Sequence, residues 1–283
     1  MRLKGLKDVE ARPLFADMHT HSEFSHDSAC KIADMASAQI SKGTKIFAVT
    51  DHFDTDLYGK QDIFAPIKAS VDTCRRVNEE YGDSCTLLSG VEIGEGFWNT
   101  EVYRRIMALA DYDVILGSVH QVRFEEMTEA YSQIDFSALP KERILSYMDA
   151  YFDDMLAMLE TTEFDILCHL TCPLRYINGK YGLEMDISPF SEKIENILKA
   201  VIRKGISLEV NTSGTDTFSD YMPPREVIKR YFDLGGRMVT LGSDAHRAQD
   251  ASKGFDQGVQ MLKDIGFDGI YYYKSRKPVK IKI

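Results

Sequence analysis

The sequence predicts an α/β barrel, and three observations predict it. Short apolar runs alternate with longer stretches of helical periodicity, the alternation repeats seven times without an obvious break, and all seven histidines lie at or just past the C-terminal ends of the apolar runs. Strands that alternate with helices imply parallel pairing and right-handed crossovers, and seven such units suffice to close, or nearly close, a barrel. At 283 residues and 44% hydrophobic content the chain can bury one large core, so one domain over residues 1–283 is expected.

The predicted strands are residues 14–18, 45–50, 86–91, 112–119, 164–168, 206–210 and 237–241, each a short run of apolar or alternating character. The intervening stretches 31–41, 67–81, 100–109, 141–159, 190–203, 225–234 and 251–265 carry apolar residues three and four apart, the spacing of one helix face. Gly43, Gly82, Gly205 and Gly235 follow helical patterns and are placed to stop them. Two connections, 121–140 and 170–189, exceed the few residues usual after a strand, and read either as lids or specificity loops or as surface elaboration. The tail 274–283 alternates basic and apolar residues and reads as a terminal strand or solvated extension rather than as an anion or nucleic-acid contact.

Charge and cysteine usage narrow the function classes. A formal net charge of -10 gives no general attraction to polynucleotides or anionic membranes, although a metal cluster can still bind anions locally. Residues 1–11 are charged and lack the apolar centre of a secretory signal, and no stretch approaches the ~18 apolar residues of a membrane span, so a cytoplasmic protein is expected. Five cysteines without Cys-x-x-Cys spacing suit reduced thiols; Cys168 and Cys172 bracket His169 and read first as small buried residues at a strand end. No Gly-rich phosphate loop of the Walker or dinucleotide type is present, so ATP and NAD are not indicated.

Residues two apart on a strand face the same side, so His19-Thr20-His21 and Asp244-Ala245-His246 each aim two candidate ligands one way. A lone His-x-His is weak evidence; the setting strengthens it. In order, the strand-end motifs are Asp17-Met18-His19-Thr20-His21 with Ser25-His26-Asp27, Thr50-Asp51-His52, Gly90-Val91-Glu92, Gly117-Ser118-Val119-His120, Cys168-His169 and Gly242-Ser243-Asp244-Ala245-His246. Six of the seven strands thus end in a potential ligand; the sixth, ending Leu208-Glu209-Val210-Asn211, offers polar groups but no histidine, and Asn211 is a candidate pocket residue.

This series resembles the polymerase and histidinol phosphatase (PHP) superfamily over residues 17–247, and within it the stand-alone histidinol-phosphate phosphatases. The resemblance implies a distorted (β/α)7 barrel with three divalent metal ions at the C-terminal ends of the strands. It implies a first metal on His19, His21, Glu92 and Asp244, a second on Glu92, His120 and His169, and a third on Asp27, His52 and His246. The Ser-x-Asp form at Asp27 is similar to the histidinol phosphatase branch, where many wider members carry histidine.

His26 is left without a ligand role, as either a proton shuttle or an ordinary polar loop residue. Asp17 and Asp51 adjoin ligands and either orient imidazoles or bond their own turns.

Imidazoles and carboxylates without thiolates suit zinc, manganese or iron. Three divalent ions against three carboxylates leave an excess of about +3, which favours a phosphate dianion. A hydroxide bridging two ions ~3.5–4 Å apart would supply the nucleophile near neutral pH. Arg175, Arg247 and Arg123, each close after a ligand, are the candidate phosphate contacts, Arg175 foremost, and metal-bound water, His26 or Asp244 is the candidate proton donor beside Glu92 as the bridging catalytic carboxylate.

The expected activity is metal-dependent hydrolysis of histidinol phosphate to histidinol and phosphate, a step of histidine biosynthesis. The alternatives are a phosphoesterase for another small ester or a nucleotide, and a metal-binding protein without turnover. Amidohydrolase barrels also begin with His-x-His, but Glu92 on the third strand and Asp244-x-His246 on the last favour the PHP resemblance. The expected partner is a small phosphate monoester, with no nucleic acid and no membrane.

Overall fold

Parallel strands connected by helices follow one another through most of the chain. The structure is a computed structural model that describes residues 15–216 and 220–283; the charged start 1–11 and Leu14, at the head of the first predicted strand, lie outside the described residues. The first half runs β1 (Ala16–Asp17), α1 (Ile32–Ser41), β2 (Ile46–Val49), β3 (His52–Asp54), α2 (Phe64–Tyr81), β4 (Thr86–Gly94), α3 (Thr100–Met107) and β5 (Val114–Ser118). The second runs α4 (Lys141–Thr161), β6 (Ile166–Leu167), α5 (Ser191–Lys204), β7 (Ser207–Asn211), α6 (Arg225–Asp233), β8 (Val239–Gly242), α7 (Phe255–Ile265), β9 (Gly269–Lys274) and β10 (Lys277–Lys282).

β1 pairs with β2 and with β8, β2 pairs with β4, and the order continues through β5, β6 and β7 to β8, all parallel, so seven strands close into a ring. The expected (β/α)7 barrel is the observed fold. One element goes beyond the expectation: β3 leaves the end of β2 and pairs with the upper half of β4, His52 opposite Glu92. That register sets two candidate ligands side by side.

The helices form where the apolar spacing is three and four. On α5 the buried residues include Ile194, Ile197, Leu198 and Val201, and on α7 Phe255, Gly258, Val259 and Leu262, one stripe facing the barrel in each. Gly43, Gly205 and Gly235 end their helices with φ of 81°, 67° and 96°, as expected of stop residues. Gly82 does so without the left-handed turn, at φ -58°.

The tail 274–283 contributes β10, the second strand of an antiparallel hairpin whose turn residues Ser275 and Arg276 both have positive φ. The hairpin sits at the N-terminal end of the barrel. The amides of Ser275 and Arg276 donate to Asp113 at 3.0 and 2.8 Å, Arg276 pairs with Asp165, and Tyr273 shares a 2.9 Å hydrogen bond with Ser207. Among the described residues no helix is long and apolar enough to cross a membrane.

Candidate metal centre

The C-terminal ends of the strands bring the candidate ligands together. At β1 and β8 the parallel ladder continues past the strands, with His21 N donating to Ala245 O at 2.9 Å and Asp244 N to His19 O at 2.8 Å. Those bonds hold His19, His21 and Asp244 at one level. The imidazole Nε2 atoms of His19 and His21 are 3.0 Å apart, Glu92 Oε2 is 3.2 and 3.5 Å from them, and Asp244 Oδ1 3.8 and 3.4 Å. Glu92, on β4, faces His120 and His169 with its other oxygen, Oε1 lying 3.0 and 2.8 Å from their Nε2 atoms. Asp27 Oδ2 meets His246 Nε2 at 3.0 Å and His52 Nε2 at 3.6 Å. All nine residues of the expected ligand set therefore converge, and Glu92 stands between the first two groups. His52 is shared more widely than the expected grouping, since its Nδ1 is 3.0 Å from Glu92 Oε2.

This arrangement fits divalent cations. Glu92, His19 and His21 are fully buried, and their nitrogen and oxygen atoms crowd to 3.0–3.5 Å of one another. His52 Nδ1 and His246 Nε2, both turned toward carboxylates, are buried without a hydrogen-bond partner. Nitrogen and oxygen donors of this kind suit zinc, manganese or iron. Two candidate ligands, His169 at φ 26° and Asp244 at φ 52°, also hold the left-handed backbone that residues with side chains rarely adopt.

The carboxylates are tuned by what surrounds them. Burial alone raises the Glu92 carboxyl, but the His120, His19 and His52 rings outweigh it and hold the group well below its ordinary range. Burial likewise opposes ionisation of Asp244 and Asp27; Arg175 and His19 win at the first, His246 and His52 at the second. Glu95, three residues past Glu92, behaves in the opposite way: burial and the neighbouring Asp54 push it up to about 8. Its Oε1 accepts the backbone N–H groups of His120 and Gln121 and so fixes the end of β5.

The residues that aim the imidazoles are not those adjoining the ligands in sequence. Asp17 accepts from Ser243 N and Oγ and from Gln39, joining the β1 and β8 ends. Asp51 accepts from Ser22, Ser25 and Ser70, and reaches His21 only through Ser25 Oγ, 3.1 Å from His21 Nδ1. Both carboxylates thus tie together segments distant in the chain more than they bond their own turns, and neither meets a ring directly. The rings are held by Glu209, 2.7 Å from His19 Nδ1, and by Asp54, 2.9 Å from His120 Nδ1. A signal for both was in the sequence: Glu209 sits between Leu208 and Val210 on a strand, and Asp54 is two residues from His52, on the same face.

Of the expected substrate contacts, Arg175 lies in the cleft. Its Nη2 donates to Asp244 Oδ2 at 2.6 Å and to Ser213, while its Nε is buried without a partner. Arg247 is on the rim of a neighbouring depression, 72% exposed and paired with Asp250. Arg123 departs from expectation: its guanidinium lies over the Trp98 ring, 4.1 Å from the centroid, and it is not among the residues lining the cleft. Asn211 also departs. It is fully buried, donates to Glu209 Oε2 at 3.2 Å and accepts from Ser213 N and Oγ, because two residues after Glu209 its side chain points to the same interior side.

His26 stands at the mouth, its side chain 52% exposed and its Nδ1 3.8 Å from Asp54 Oδ2. Cys168 is buried against the cluster, its thiol donating to Gly117 O at 3.1 Å and Glu92 Oε1 at 3.4 Å. Burial, Glu92 and Glu209 push that thiol well above its ordinary range, so it acts as a donor.

The cleft over the cluster holds about 100 Å³ and opens past His26, His52 and Asp54 into a depression of about 510 Å³ lined by Glu23, Phe24 and Ile63 among others. One wall is built by the two long connections, Ala130, Tyr131 and Ser132 from the first and Cys172, Arg175 and Tyr176 from the second. The Tyr131 and Tyr176 rings pack 5.5 Å apart, and Tyr181 OH donates to Ile134 O at 3.2 Å.

A family model of the PHP domain matches residues 17–213. A probable histidinol-phosphatase of Clostridium acetobutylicum is 29% identical over 262 residues, covering 91% of this chain and 96% of the relative. One of Thermotoga maritima is 28% identical over 267 residues, covering 94% and 99%. Among solved structures, histidinol phosphate phosphatase from Lactococcus lactis, complexed with zinc, L-histidinol and phosphate, superposes with a TM-score of 0.74 at 22% identity, over 94% of this chain and 99% of that one.

Proposed function

The chain belongs to the PHP domain family, and we propose that it is a metal-dependent phosphomonoesterase that hydrolyses histidinol phosphate to histidinol and inorganic phosphate, acting as a single domain. The observation that carries this reading is the convergence of six imidazoles and three carboxylates beneath a cleft whose wall holds Arg175 with an unpartnered buried Nε. Its small cleft and the chain's acidic balance support a small ester over a polymer. The likeness to histidinol-phosphatases along nearly the whole chain supports the substrate.

Three ions are assigned to this centre: one on His19, His21, Glu92 and Asp244, one on Glu92, His120 and His169, and one on Asp27, His52 and His246. When bound, divalent ions supply a water nucleophile ionised near neutral pH and positive charge against the phosphoryl oxygens. Glu92 holds two of the groups in one frame. Arg175 takes a phosphoryl oxygen through its free Nε–H, Asp244 fixing the guanidinium plane from the other side. Asp244 has both oxygens engaged, so return of a proton to the leaving alcohol falls to His26 at the solvent edge of the cleft. Arg247 is assigned no phosphate contact, because Asp250 draws it to the outer rim. The larger depression beyond His26 takes the alcohol portion of the ester.

The test is phosphate release from histidinol phosphate beside sugar phosphates and nucleotides, on protein of measured metal content. Histidinol phosphate is expected to give the highest kcat/KM; an ester elsewhere in the panel standing above it would overturn the substrate, and no release from fully metallated protein would overturn the enzyme reading.

A further inference from the structure

Glu209 is a charged residue inside a strand that otherwise presents apolar or neutral side chains, and it is 1% exposed. A buried carboxylate is retained at that cost when its oxygens are fully used. Here they are. Oε1 meets His19 Nδ1 at 2.7 Å, and Oε2 accepts the backbone N–H of His169 at 2.7 Å and the Asn211 amide at 3.2 Å. The three partners come from just past β1, from the end of β6 and from β7 itself. Space is reserved for this contact: a Cβ on Gly242 of β8 would collide with Glu209 Oε1, so the glycine leaves room for the carboxylate to lie against His19.

The two strongest bonds act on different parts of the centre. A carboxylate facing Nδ1 makes that nitrogen the donor and leaves Nε2 of His19, the atom beside His21 and Glu92, with its lone pair. His169 has no such ring partner, since its Nδ1 is buried and unpaired. Its aim toward Glu92 depends on a backbone held at φ 26°, and the N–H of that same residue is the one that Glu209 accepts.

We propose that Glu209 is the positioning residue for both halves of the centre at once, fixing the tautomer of His19 and the strained backbone pose of His169. The proposal rests on the metal centre assigned above. It makes a histidine-free strand as necessary to metal binding as the strands that carry ligands.

The test is titration of the metal-free protein with Co2+ under competition by a chelator, with the ligand-field absorption of the cobalt form and the melting temperature of the metal-free form read alongside. Glu209→Gln is expected to weaken Co2+ binding about 10–100-fold and to change the absorption band, which a role in barrel stability alone would not move. Thr240→Val, an isosteric change at a neighbouring buried strand position, is expected to keep wild-type binding. Should E209Q fail to fold, Glu209→Asp keeps the charge but is one methylene too short to span both partners, and is expected to bind Co2+ more weakly than wild type.

Wild-type affinity and spectrum in folded E209Q, or in E209D if only that variant folds, overturn the proposal, as does an equal loss in T240V. A wild-type protein that binds no Co2+ overturns the metal centre itself, which separates the two failures.

Discussion

The two ends of the barrel use carboxylates in opposite ways. At the N-terminal end the carboxylates of Asp113 and Asp165 face donors that already carry protons: the amides of Ser275 and Ser89 at the first, and the amide of Ile115 and the guanidinium of Arg276 at the second. Both carboxylates are matched to N–H donors, and the end is closed by the hairpin. At the C-terminal end Glu92, Asp27 and one oxygen of Asp244 crowd against imidazole nitrogens, only the other Asp244 oxygen being met by a guanidinium, that of Arg175, and several buried nitrogens have no partner. Imidazoles and carboxylates gathered on one point make a ready set of metal ligands, whereas acids matched to N–H groups are already satisfied. The first end is therefore built for stability and the second for metal binding.

The sharpest way to break this contrast is Glu92→Ala. It removes the carboxylate between His19, His21, His120 and His169, and turnover is expected to fall by on the order of 10²–10³-fold or more, with fewer metal ions per chain by elemental analysis. Near-normal activity in a fully metallated variant would end the assignment.

Next in size is Arg175→Ala, which deletes a charge-assisted contact to the phosphoryl group. We expect kcat/KM to drop about 10–100-fold, with metal content intact. Unchanged steady-state kinetics would make Arg175 a structural partner of Asp244 and nothing more.

Stripping the ions with a chelator tests the same contrast through stability. Ligands that bind only the folded state stabilise it by about 2.7 kcal/mol at a concentration of 100 times Kd, so the metal-free protein should melt several degrees lower. A melting temperature indifferent to chelation would show that the C-terminal end does not need its cations.

The smallest effect is expected at the other end. Arg276→Ala leaves Asp165 without its cation and should lower stability by about 1–3 kcal/mol in urea unfolding, while metal content and turnover per folded molecule stay at wild-type values. Loss of metal in that variant would mean the two ends are not independent.

Much of this was legible from residue order alone. Strand and helix periods set seven units, and the family resemblance carried by the strand-end motifs implied nine ligands that the fold brings together, because a parallel barrel delivers every strand end to one rim. The misses share a cause. Arg123 was counted as a phosphate contact for lying three residues past His120, yet a neighbouring ring, Trp98, captured it. Asn211 was counted as a pocket residue, yet its strand parity turned it inward. Asp17 and Asp51 stand next to ligands in the chain, while the carboxylate that orients His19 is 190 residues away.

Sequence by itself determined the alternation of strand and helix, the identity of the donor atoms and the end of the barrel at which they gather. Tertiary structure alone decided that Asp54 holds the His120 ring, that β3 sets His52 beside Glu92, and that Glu209 serves His19 and His169 together. The physical reason is range. Periodicity and residue chemistry are written within a few positions of the chain, but a hydrogen bond across a barrel depends on strand register and side-chain direction over its whole circumference.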